Sequence, residues 1–71
     1  MTSRELADIV MEENTPYDYG WIRYIFRSEG FKGLREMAKS TTECFAPQNA
    51  SKQLIWRAST IVARELYSFV R

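Results

Sequence analysis

Apolar residues recur at helical spacing along nearly all of this 71-residue chain, and in its last third they occupy two faces instead of one. From Pro47 the sequence PQNASKQLIWRASTIVARELYSFVR continues without glycine or a second proline. At about 100° per residue, Leu54, Ile55, Ala58, Ile61, Val62, Leu66 and Phe69 form one broad stripe. Trp56, Ala63 and Tyr67 fall on the opposite side, bordered by Lys52, Arg64 and Arg71. The pattern predicts a long C-terminal helix from about Pro47 to Val70, the longest element of the chain. Its first stripe requires a core. Its second has a place only if the helix is central in the fold or meets a partner.

Upstream, Thr2 with Glu5 three residues on is a capping-box pattern, and Leu6, Ile9 and Val10 follow at helical spacing. A first helix is predicted over Ser3–Glu13, broken at Asn14-Thr15-Pro16 because proline cannot continue the hydrogen-bond ladder. Asp18 is the expected N-cap of a second helix, Tyr19–Ser28. Gly30 reads as a stop, after which Phe31, Leu34, Met37 and Ala38 restart the period through Lys39. The pattern leaves open whether these are one kinked element or two. Ser40-Thr41-Thr42 reads as a polar break, and the last helix is expected to begin at Pro47 or to be capped by Asn49. Strand signals are weak throughout. The expected fold is all-α: one small helical domain, residues 1–71, built as a compact bundle of three to four helices.

Composition narrows the function classes. So short a chain buries only roughly 60% of the surface its unfolded form exposes, which makes stability thin and oligomers common. One cysteine, Cys44, excludes an intrachain disulfide, and the absence of histidine excludes a zinc-finger constellation and any Ser-His-Asp or Cys-His catalytic arrangement. A free thiol without a disulfide framework, no signal-peptide pattern and no apolar run of ~20 residues lead to the expectation of a soluble cytoplasmic protein with no membrane partner. Cys44 lies between Glu43 and Phe45, where a neighbouring negative charge opposes thiolate formation, so it is read as a small buried or half-buried residue. GFKG at residues 30–33 matches neither a Walker loop nor a dinucleotide turn. No enzyme activity, cofactor or metal is expected.

Net charge is +1 but unevenly spread. Residues 1–18 hold Arg4 against five carboxylates, a balance of −4, while residues 19–71 hold nine Lys/Arg against four glutamates, a balance of +5. The acidic segment is expected to dock on the basic remainder, or else the two offer separate faces to partners. Glu65 falls inside the apolar stripe and needs a cation. Arg23, Arg27 and Arg35 are the expected candidates, in an ion pair locking the last helix to the second. The alternative is a register-setting group at an interface.

Ten aromatic residues exceed what one small core covers. Ile22, Ile25 and Phe26 share the expected core face of helix two, whereas Trp21 and Tyr24 lie off it beside the i,i+4 pair Arg23 and Arg27. With Trp56, Tyr67, Arg64 and Lys52 they form a candidate partner-binding surface, a composition enriched at protein–protein hot spots and suited to stacking on single-stranded nucleic acid. A helix-turn-helix with Tyr19–Ser28 as recognition helix is weakened by the long connection Met11–Asp18.

Residues Ile22, Ile25, Arg27-Ser28, Phe31, Leu34 and Met37, then Trp56, Ala58, Glu65-Leu66 and Phe69-Val70-Arg71, are faintly similar to the Hha/YmoA group of small helical enterobacterial co-regulators. The acidic first helix departs from the group's pattern. The resemblance implies a regulator that binds a nucleoid or transcription protein. The resulting expectation is a non-catalytic regulatory protein with a protein partner; direct nucleic-acid binding is the second reading and a homodimeric structural module the third.

Overall fold

The computed structural model describes residues 1–13 and 19–70, and most of them lie in three α-helices: α1 Ser3–Glu13, α2 Tyr19–Phe45 and α3 Lys52–Val70. The expected break at Asn14–Pro16 and the Asp18 cap lie outside the described residues. The α1 capping box is formed as its sequence predicts. The Glu5 N–H donates to Thr2 Oγ1 at 3.1 Å and the Thr2 N–H donates to Glu5 Oε1 at 2.9 Å, satisfying donors that a helix start leaves without intrahelical acceptors. The Thr2 N–H, and after it the Thr2 hydroxyl, hydrogen-bond the Glu5 carboxylate and hold its pKa below the usual value. Leu6, Ala7 and Val10 form the buried stripe, with Ile9 at its edge.

The second and third predicted helices are one element with a kink. Gly30 sits at φ 72°, ψ −162°, a conformation essentially restricted to glycine, and helix continues on both sides. The kink has a packing consequence. Phe26 and Phe31 are five residues apart, about 140° around an unbroken helix, yet both rings meet Tyr67 of α3, at 5.1 and 6.2 Å between centroids. The polar break expected at Ser40-Thr41-Thr42 does not occur. Thr41 Oγ1 donates back to the Met37 carbonyl at 3.3 Å, Thr42 is buried in line with Leu34 and Ala38, and α2 runs on to Phe45.

The last helix starts later than Pro47. Pro47–Ala50 closes a turn through the Ala50 N–H and the Pro47 carbonyl, and Ser51, not Asn49, is the cap, its Oγ accepting the Leu54 N–H at 3.0 Å. At 19 residues α3 is shorter than the 27 of α2 taken across its kink. It lies between the other two helices, packing most extensively on α2 and next on α1, while α1 and α2 share the smallest contact. This central position is what its two apolar faces serve.

Several core assignments shift accordingly. Ala58, Ser59, Val62, Ala63, Leu66 and Val70 are buried, whereas Leu54, Ile55 and Ile61 are only half-buried. Phe69, expected in the core, is 56% exposed and leans on Tyr19 at 5.3 Å. Val70 takes the buried place because it stands four residues beyond Leu66 and seven beyond Ala63, continuing their row. Cys44, expected buried or half-buried, is exposed on α2. The described chain is all-helical, and none of its helices is long and apolar enough to cross a membrane.

Candidate macromolecular interface

The eight residues of the expected interface fall at four places. On the first half of α2, Trp21 and Tyr24 are 55% and 61% exposed and stack on one another at 5.5 Å with ring planes 18° apart. Arg23 and Arg27 are exposed one turn apart on the same segment. Trp56, at the first turns of α3, is 41% exposed and turns toward the second half of α2. The Arg35 guanidinium lies 4.1 Å from the centre of its ring and Lys39 Nζ lies 5.9 Å away, a cation–π arrangement that holds one side of the indole. Lys52 is exposed nearby and shares with Lys39, Glu43, Ile55 and Trp56 a cleft of about 340 Å³.

Tyr67 and Arg64 part company with this set. Tyr67 is half-buried, with Phe26 and Phe31 edge-on to its ring, so it belongs to the packing of α3 on α2. Arg64 is exposed on the other flank of α3, beside Arg4, Ile61 and Glu65. The paired anchor expected from Trp56 and Tyr67 is thus one exposed ring and one structural ring.

Glu65 finds an arginine, though none of the three expected. Arg4 Nη2 lies 2.8 Å from its carboxylate, tying α3 to α1, and Arg4 also reaches Asp8 at 3.1 Å. The acidic N-terminal segment therefore docks on α3 through Leu6, Ala7 and Val10 and through its one arginine, the reverse polarity of the expected pairing. Its carboxylates Glu5, Asp8 and Glu12 project away from that buried stripe and are exposed.

Two members of the surface were missed in sequence. Arg35 and Lys39 were legible only as another i,i+4 basic pair; what recruits them is the packing of α2 against Trp56. Together the cations Arg23, Arg27, Arg35 and Lys39 step along α2 at intervals of four residues, with Phe31 in the gap. The contacts of Phe31 with Tyr67 and of Arg35 with Trp56 place the part of this row after the kink beside α3. Arg35 Nε is buried there with no hydrogen-bond acceptor. Among the described residues no group of three or more His, Cys, Asp or Glu could hold a metal ion. In comparisons with known proteins no family model, no curated sequence and no solved structure matched this chain.

Proposed function

We propose that this is a small non-catalytic interaction protein, a cytoplasmic regulator that presents the aromatic and basic side of its α2–α3 pair to a macromolecular partner. The leading partner is a protein, of the kind found in a transcription or nucleoid complex. The observation that carries the reading is the Trp21–Tyr24 stack. Two large rings leave more than half their surface in water beside two exposed arginines, while Leu, Ile and Val fill the core without them. Aromatic residues and arginine are the types that dominate binding energy at protein interfaces. The polar tips of Trp and Tyr let such a surface stay soluble while unoccupied.

The test is capture of partners by tagged protein from its native host, with and without nuclease, comparing the wild type with Trp21→Ala and with Trp56→Ala. A nuclease-resistant partner retained by the wild type and lost from both variants, at unchanged helical content, is the expected result. Equal capture by all three proteins would remove this surface from the function. Capture abolished by nuclease would favour nucleic acid as the ligand.

A further inference from the structure

We infer that the segment this surface receives is an acidic amphipathic helix of a protein partner, lying along the cationic row of α2 with an apolar side chain against Trp56; the inference rests on the reading of the α2–α3 side as an interface. Three observations favour that occupant. The first is spacing. Arg23, Arg27, Arg35 and Lys39 repeat every fourth residue or its double, and carboxylates repeated every fourth residue of a helix recur at the same rise of about 6 Å. A partner helix can therefore match Arg23 with Arg27 on one side of the Gly30 kink and Arg35 with Lys39 on the other.

The second is an unsatisfied donor. Arg35 is held against the Trp56 ring, and its Nε is buried without an acceptor. A carboxylate arriving beside Trp56 would meet the outer Nη donors of this guanidinium, which the indole ring already holds in place. The third is the distribution of negative charge. The outward side of α1 carries Glu5, Asp8 and Glu12, which would repel an acidic segment and direct it to the α2–α3 side. Nucleic acid fits less well. A sequence pI near 7.9 falls short of the strongly basic footprint of a nucleic-acid binder. Glu36 and Glu43, the latter 3.9 Å from Lys39 Nζ, interrupt the basic side of α2, so the partner helix meets chiefly Arg23, Arg27 and Arg35.

The experiment titrates the whole protein, followed by the fluorescence of its tryptophans, with a Trp-free synthetic helical peptide of about 16 residues. The peptide carries Glu at every fourth position and Leu on the adjoining face; a second peptide has Lys in place of Glu, and a third ligand is oligothymidylate of similar length. The expected result is saturable binding of the Glu peptide, weakened by salt. It should fall at least about tenfold in the variant Arg23→Glu with Arg27→Glu, and the Lys peptide should not bind. Both arginines are exposed, and a melt of the variant checks that its fold is kept. Binding of the Glu peptide undiminished by the charge reversal, equal binding of the Lys peptide, or no binding of the Glu peptide would overturn the inference. Tighter binding of oligothymidylate would assign the row to nucleic acid. Self-association by light scattering, lost on Glu5→Lys with Asp8→Lys, would assign it to α1 of a second copy. Each of these results overturns the acidic partner helix, while the response of native capture to Trp56→Ala still judges the interface itself.

Discussion

Replacing Gly30 by the two mirror-image alanines separates backbone conformation from packing at the kink. No atom lies within 4 Å of a Cβ built on Gly30, so an added methyl meets no obstacle. The backbone, at φ 72° and ψ −162°, is the difficulty. L-Alanine there is strained by about 1–3 kcal/mol, offset by about 0.4–1 kcal/mol because alanine restricts the unfolded chain more than glycine does. The net loss is about 0–2.6 kcal/mol, and at roughly 4–8 °C per kcal/mol for a domain of this size the melting temperature should fall by as much as roughly 20 °C. For D-alanine the same angles with signs reversed are the extended region favoured by ordinary L residues. Only the unfolded-state gain remains, a rise of roughly 2–8 °C. A chain of 71 residues is within reach of chemical synthesis by segment ligation, and melts at 222 nm of the three proteins make the comparison. L-Alanine melting above the glycine protein, or D-alanine melting below L-alanine, would refute the argument and imply that α2 tolerates straightening. That tolerance would be unexpected, because Phe26 and Phe31 reach one tyrosine ring only across the kink.

Three further outcomes follow from the same structure. Leu34→Ala, at a fully buried site, should cost about 2–5 kcal/mol in denaturant unfolding, whereas Ile61→Ala should cost less because Ile61 is only partly buried; equal losses would contradict the core described above. The pKa of Glu5 is lowered in the folded chain, so its contribution to stability is present above the unfolded pKa and is lost as pH falls through the folded one; Glu5→Gln should remove that acid-side loss, read as α1 helicity while pH is lowered through and below the ordinary carboxylate range. Cys44→Ala should leave both the melt and partner capture nearly unchanged, since the thiol is exposed, and loss of capture in a folded variant would point to thiol chemistry.

What could be read from the sequence alone was governed by local chemistry. The all-helical class, the extent of α1 with its Thr2–Glu5 box, and the buried positions Ile22 and Ile25 follow from spacing and from side chains that act on neighbouring backbone groups. The exposure of Trp21, Tyr24, Arg23 and Arg27 was legible for the same reason, since one helical face suffices to place them. Local pattern failed where a tertiary contact outweighed it. Thr42 is polar yet buried, so a run of hydroxyl residues that resembled a break lies inside a helix. Asn49 and Ser51 are both acceptable caps, and only the Pro47–Ala50 turn selects the second.

Which of two apolar faces meets solvent, and which arginine meets Glu65, depends on where α1 and α2 lie around α3. Periodicity gives the angle of a residue about its own axis and says nothing of its neighbours. The tertiary structure alone therefore turned Tyr67 inward and Phe69 outward. It paired Glu65 with Arg4 instead of an arginine of α2, and it gathered Arg35 and Lys39 around Trp56.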